Sequence, residues 1–392
     1  MNYEQKKLGD YIDILSGFAF KSKDFVKKGI PIIKIKNITP PEVLLEDLTY
    51  VSEEVAEKQK KFLLGYDDVL IAMTGSHINQ WASVVGRVAR VKYYDKSLLN
   101  QRVGKVTLKE EVNADISYIY YYLSQDKVKI ELAAKASGAA NQANISPSDI
   151  KELLFPCPEI DIQIKIAGIL RKYDDLIENS QKQIKLLEEA AQRLYKEWFV
   201  DLRFPGYEAC KIVDGVPEGW EKRFVGDMLK KIPKTEQIKA SEYMKSGSIP
   251  VIDQSKNFVA GYTNNQAALI EENLPIIVFG DHTRVLKYIS FPFAKGADGT
   301  QLVLTNNIKR MPQALLYCSL INIDLSNYHY ARHFKYLKAE EILVPIEEIA
   351  EQFNTVIQPI YELVQKKRDQ CMRIAEARDR MLPKLMSGEI EV

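Results

Sequence analysis

Metal binding and nucleophilic attack rest on a few residue types, and these are scarce in the 392-residue sequence. There are four histidines, His77, His282, His329 and His333, and four cysteines, Cys157, Cys210, Cys318 and Cys371. His329 and His333 are spaced i, i+4, which on a helix would set two imidazoles on one face, the beginning of a metal site. No third ligand lies between them, and YHYARHF equally suits a surface of aromatics and cations, so no metal is expected. The cysteines lie far apart and form no CxxC pair, which argues against a disulfide framework or a zinc knuckle and suits a reducing cytoplasm. No G-x-x-x-x-G-K-[ST] loop occurs, no glycine-rich dinucleotide fingerprint follows a strand, and no Asn-Pro-Pro-aromatic tetrapeptide is present. Serines, histidines and acids exist, but no local signature joins them into a triad. An enzyme active site is not predicted.

The elements that must position any other chemistry come from ordinary globular material. Apolar residues make up 46% and charged residues 27%, enough for several cores, and the length suits two or three domains. The net charge of +1 excludes only binding through a bulk polycationic tail, so any basic surface must arise by clustering in space. No run of 18 uncharged apolar residues occurs, and MNYEQKKLGDYIDI lacks a signal-peptide core, so no membrane segment is expected.

The chain reads as two copies of one plan. Residues 156–163, PCPEIDIQ, and 345–352, PIEEIAEQ, share P-x-x-E-I-x-x-Q, and Glu152/Glu341 and Leu154/Leu343 extend the match at the same offset. Fainter echoes lie upstream, Gly9-Asp10 against Gly226-Asp227 and Ile30-Pro31-Ile32 against Ile249-Pro250-Val251. The second copy is the shorter.

A long heptad seam follows each copy. The first takes Ile166, Leu170, Tyr173, Ile177, Ser180, Ile184, Leu187, Ala191, Leu194 and Trp198. As one helix over 163–199 it would span roughly 55 Å at 1.5 Å per residue. The second takes Phe353, Ile357, Ile360, Val364, Lys367, Cys371, Ile374, Arg378, Met381 and Leu385, with polar breaks at Lys367 and Arg378 and an expected kink at Pro359. The regions ahead of the helices read as mixed α/β. Strands are expected at IPIIKIKNI, DDVLIAM, SVVGRVARV and RVGKVTL, then at IPVID, PIIVFGD, VLKYISFPFA and TQLVLT. SYIYYYLSQDKVKIELAAKA and MPQALLYCSLIN read as helices. The fold class expected is α+β, two mixed α/β domains separated by two long antiparallel helices forming a coiled coil. The boundaries are 1–155, 156–203, 204–344 and 345–392.

This organisation resembles the specificity subunit of Type I DNA restriction–modification systems. The resemblance rests on KLGDYIDILSGFAF with GIPIIKIKNI, on YDDVLIAMTGS with VGRVARV and LLNQRVGKV, and on ANISPSDIKELLFPCPEIDIQIKIAGIL running into the first long helix. EWFVDLRFPGYE, VPEGWEKRFVGD and IVFGDHTRVLKYISFPFAKGADGTQLV carry it through the second copy. It implies two target-recognition domains, each reading half of a split site in double-stranded DNA. It implies helices that set the spacer and dock two modification subunits, with restriction subunits joining the complex. S-adenosylmethionine, ATP and Mg²⁺ would bind those partners, none would bind this chain, and the location would be cytoplasmic. A coiled-coil assembly protein without DNA specificity and a methyltransferase or nuclease acting alone are the alternatives.

On that resemblance, base readout calls for Arg, Lys, Asn, Gln or short polar groups on loops. In the first copy the candidates are Thr74, Ser76, His77, Asn79 and Gln80 after a strand, and Gln101 and Arg102 after Leu98-Leu99. Lys34, Lys36 and Asn37 would close a strand and meet phosphate. In the second copy, His282, Thr283 and Arg284 end the strand PIIVFG, and Lys256, Asn257 and Tyr262 occupy a polar loop. Arg332, His333 and Lys335 are phosphate candidates. Arg284 either reads guanine or pairs with Asp281 or Asp298. The tyrosines of YIYYY are assigned to helix packing.

Overall fold

The computed structural model describes residues 3–75, 85–136, 143–233, 235–297, 299–328 and 332–392. The chain forms two compact units, Met1–Glu178 with Met372–Val392, and Asn179–Cys371.

The first unit is built on the strand Val69–Ala72, buried at every position. Successive side chains of a strand point to opposite faces, so a continuous apolar run serves a strand covered on both sides. Val69 and Ile71 face a core with Tyr118, Tyr122, Phe155, Ile166 and Leu170, whereas Leu70 and Ala72 face another with Ile33, Ile38, Val91 and Leu99. Val69–Ala72 lies antiparallel between Val103–Leu108 and Val88–Arg90 in a six-stranded sheet that also holds Ile12–Ser16, Glu42–Val43 and Ile38–Thr39. A five-stranded sheet runs Phe25–Val26, Thr49–Val51, Ile30–Ile33, Ser97–Leu99, Leu63–Leu64.

The second unit is built the same way. Ile276–Gly280 is its wholly buried strand, antiparallel to Leu286–Ile289 and Thr300–Val303. Ile277 and Phe279 face Leu315, Phe353 and Ile357, and Ile276 and Val278 face Ile252, Ile289 and Phe293. In each unit a short strand near the start pairs antiparallel with the strand leading into a long helix, Gln5–Lys7 with Leu154–Pro156 and Glu221–Phe224 with Glu341–Val344.

The long helices run Ile160–Tyr195, extended by a π-helical turn Lys196–Val200, and Glu347–Ser387. Each contributes to both units. In the first unit Ile166 and Leu170 pack with Leu382, Leu385 and Met386 in one core, with Met381 against it, and Ile177 is buried. There Tyr173 Oη lies 3.0 Å from Met381 Sδ, and Arg378 donates to Asp174 at 2.6 Å. Asp174 also accepts from Tyr121 Oη at 2.6 Å, so the polar break in the seam is an ion pair with a further hydrogen bond. In the second unit Ala191, Tyr195 and Phe199 share a core with Phe353, Ile357 and Tyr361, with Leu194, Trp198 and Ile360 against it. Val364 is buried there, and Arg368 donates to Glu188 at 2.5 Å. Ile184, Leu187 and Ile374 are half-buried, whereas Leu176 and Leu186, off the seam, are exposed.

Several elements differ from the sequence expectation. The 116–135 stretch is two helices, Ile116–Ser124 and Asp126–Lys135, because Gln125 takes extended backbone angles and its amide donates back to Tyr122 O. IPIIKIKNI leaves the strand after Ile33 for a 3-10 turn, Ile35–Asn37. VLKYISFPFA is two strands, Leu286–Ile289 and Phe293–Gly296, parted at Ser290-Phe291-Pro292, where proline removes a ladder donor. The second long helix passes Pro359 without interruption. That residue and Thr355, whose carbonyl loses its amide partner, are exposed, so water can satisfy the orphaned group.

Candidate nucleic-acid interface

In each unit the candidate site forms where the central strand ends and neighbouring loops meet it. In the first unit, Thr74–Gly75 pairs antiparallel with Ala143–Asn144. Thr74 Oγ1 donates to Asn144 Oδ1 at 2.8 Å, and Arg102 Nη1 donates to both oxygens, at 3.3 and 3.2 Å. The guanidinium of exposed Arg102 is thereby aimed, while the buried Thr74 hydroxyl is spent inside the fold. Gly17 makes the approach of the 99–101 backbone possible, since a Cβ there would lie 2.2 Å from Asn100 O. Phe18 N then donates to Leu99 O and Gln101 N to Phe18 O, leaving the Gln101 side chain exposed. Ser76, His77, Asn79 and Gln80 lie outside the described residues.

The 34–37 turn is less available than its sequence suggests. Asn37 is 2% exposed; its Oδ1 accepts from Lys34 N at 3.0 Å and its Nδ2 donates to Leu44 O and Glu46 O. Its side chain is spent shaping the turn. Lys34 Nζ donates to Thr49 Oγ1 at 2.7 Å and sits 4.9 Å from the Phe25 ring centroid; burial lowers its pKa. Lys36 alone of the three is exposed.

Behind this tip, Asp67 accepts from Arg90, Lys92 and Arg171. Burial alone would raise the Asp67 pKa, but the charges of Arg90 and Lys92 hold it below the usual carboxylate range. The Arg90 guanidinium also lies 4.4 Å from the Tyr120 ring centroid. This knot joins the sheet to the first long helix within the unit.

In the second unit, the turn after Ile276–Gly280 carries exposed His282 and Thr283 and half-buried Arg284. Arg284 adopts φ +63°, a left-handed conformation that is uncommon outside glycine, and its Nη2 donates to Tyr328 O at 2.8 Å. Asp281 is buried, and its Oδ1 accepts from Phe334 N at 2.8 Å; Asp298 lies outside the described residues. His333 is 4% exposed, with Nδ1 at 2.8 Å from Asp281 O and Nε2 at 3.1 Å from Tyr328 O. Both of its ring nitrogens are occupied by backbone carbonyls that hold the turn from behind. Arg332 and Lys335 are exposed, as are Lys256 and Asn257, and Tyr262 is half-buried in the strand Gly261–Thr263.

Sequence reasoning missed Asn144, Gln254 and Lys287. Gln254 Oε1 accepts from His282 N at 3.1 Å and Gln254 O from Thr283 Oγ1 at 2.6 Å, tying the 253–257 loop to the 281–284 turn. Lys287 is buried at 3% exposure, and burial lowers its pKa to about 8. The available signal was a lone cation inside the apolar run VLKYI.

Among the described residues, no group of three or more His, Cys, Asp or Glu could hold a metal ion, and no helix is long and apolar enough to cross a membrane. His329 lies outside the described residues. What the site offers is aimed cations and amides on loops, the chemistry of groove and phosphate recognition.

Residues 1–189 match the family model for the Type I restriction modification DNA specificity domain. The chain is 26% identical to the Type I restriction enzyme MjaIX specificity subunit of Methanocaldococcus jannaschii over 422 residues, covering 100% of this chain and 94% of that one. It is 30% identical over 95 residues to the EcoR124I/EcoR124II specificity subunit of Escherichia coli, 24% of this chain and 23% of that one. Among solved structures, the Type I restriction-modification S subunit from M. genitalium aligns over 98% of this chain and 96% of its own, with TM-score 0.55 and 15% identity, a likeness of fold.

Proposed function

This chain belongs to the family of Type I restriction–modification DNA specificity subunits, and from that premise we propose that each of its two units reads one half of a split DNA site. The observation that carries the reading is a shared framework with unlike tips. One central strand ends at Thr74, Arg102 and Asn144, the other at Gln254, His282, Thr283 and Arg284. Different donors and acceptors at corresponding places prefer different bases, so the target is asymmetric. Recognition belongs to 1–155 and 204–344, and the helices of 156–203 and 345–392 set the spacer and dock two modification subunits. Restriction subunits complete the assembly in the cytoplasm. S-adenosylmethionine, ATP and Mg²⁺ act on those partners.

Methylation mapped across a genome carrying this subunit tests the proposal. Two unlike half-sites at a fixed spacing support it, and one contiguous or palindromic target overturns it. The purified chain alone neither cleaves nor methylates DNA, and methyl transfer from S-adenosylmethionine by rigorously purified chain would refute that.

Arg284 offers a finer test. A guanidinium has five donors, and the bond to Tyr328 O uses one, which leaves a fork for guanine. Arg284→Ala in the complex should relax selectivity at one base position, at a cost of roughly 1–3 kcal/mol. An even loss across all sequences would make it a phosphate contact. Unchanged affinity and selectivity in a folded variant would remove it from the interface.

A further inference from the structure

We propose that Lys287, buried in the strand Leu286–Ile289, is the positioning residue that holds the reading surface of the second unit; the proposal rests on that unit being a half-site reader. Lys287 Nζ donates to the backbone carbonyls of Asp253 at 2.8 Å and Asn257 at 2.5 Å, with the Asp253 carboxylate 3.9 Å away. One ammonium therefore gathers both ends of a short polar loop. Burying a charge is costly unless it is paired and hydrogen-bonded, and here the loop's own carbonyls take two of the three ammonium donors while the Asp253 carboxylate stands nearby. The loop must take this shape for the lysine to be tolerated, and the lysine must be present for the loop to keep it.

The rest of the loop is fastened from the same centre. Asp253 Oδ1 accepts from Ser255 N and Ser255 Oγ at 2.9 and 2.5 Å, and Asp253 Oδ2 accepts from Tyr243 Oη at 3.3 Å. Gln254 then bonds the His282–Thr283 turn through its backbone carbonyl and its side-chain oxygen. Exposed Lys256 and Asn257 on the loop, and exposed His282 and Thr283 on the turn, are thus held as one surface. The residue holding them is too buried to reach DNA itself. Reading a base edge needs side chains held to about half an ångström, whereas attraction to phosphate does not. Loosening this loop should cost discrimination before it costs binding.

The experiment uses the complex of the full chain with its modification subunits, methylating duplexes varied at each position of the mapped target. Lys287→Met keeps the aliphatic stem and removes the donors. Discrimination should fall about tenfold at positions of one half-site, the low end of what a good base contact supplies, and stay unchanged in the other half. Lys287→Arg, which restores a charged donor, should recover part of it, as a mere packing role would not require. A folded Lys287→Met variant that keeps full discrimination, or that loses methylation evenly for all sequences, overturns the proposal. If Lys287→Met does not fold, Ser255→Ala, which removes only one hydroxyl bond to Asp253, is judged by the same two outcomes. A native complex with no discrimination in that half-site would instead sink the half-site reading, before any variant is made.

Discussion

Replacing residues 1–155 with the recognition domain of another specificity subunit is expected to rewrite one half of the methylated target and leave the other half untouched. The first unit has its own two cores on either side of Val69–Ala72. Each changed base pair costs about 1–3 kcal/mol, so several changed positions shift preference by orders of magnitude. The graft must respect one boundary condition. Tyr118, Tyr122 and Phe155 pack in the same core as Ile166, Leu170, Leu385 and Met386, so the incoming domain needs matching apolar volume on its helix and on its last strand. Genome-wide methylation mapping of the chimaeric complex reads the result, and a target altered in both halves would mean that the units are not independent readers.

Inserting four residues near Gln181–Gln183 should lengthen the preferred spacer by one or two base pairs while both half-site sequences persist. Gln181 and Lys182 are exposed, whereas Ser180 and Ile184 on either side are buried and half-buried. Four residues add about 6 Å and nearly complete a turn, so the apolar stripe returns to its face. Base pairs rise about 3.4 Å each, which converts that length into the expected change. Two residues would instead turn the stripe by about 200° and should damage assembly, visible as lost co-purification of modification subunits. Methylation at the original spacer, with full efficiency, after the four-residue insertion would overturn the idea that the helices measure distance.

The buried strands and long helices were legible because their signals are local. VLIA and IIVFG are unbroken apolar runs, and the heptad seam repeats over many turns. Boundaries were less legible where a single residue redirects the backbone. Gln125 divides an otherwise continuous helical pattern through its own backbone angles, and Asn37 turns a strand by bonding carbonyls at Leu44 and Glu46. The candidate site was legible only as composition. Nothing in the local pattern separates Asn37 and His333, spent inside the fold, from Lys36, Arg332 and Lys335, which face solvent. The partners that decide the matter, Gln254 for the His282 turn and Asn144 for Arg102, stand 28 and 42 residues away in sequence. Such pairings follow from strand register, which no short motif records.

The discontinuous make-up of the first unit bears on the order of its birth. Its strands and tyrosine helix leave the ribosome early, yet Leu382, Leu385 and Met386 of the same core are translated only after the whole second unit. Until then the core that Ile166 and Leu170 share with Tyr118, Tyr122 and Phe155 lacks its last members. The first unit therefore completes its core only after residues 382–386 have been made, later than the whole of the second unit. A stop codon at position 372 would leave the codons of the second unit intact and still strip Met372–Val392 from the unit made first.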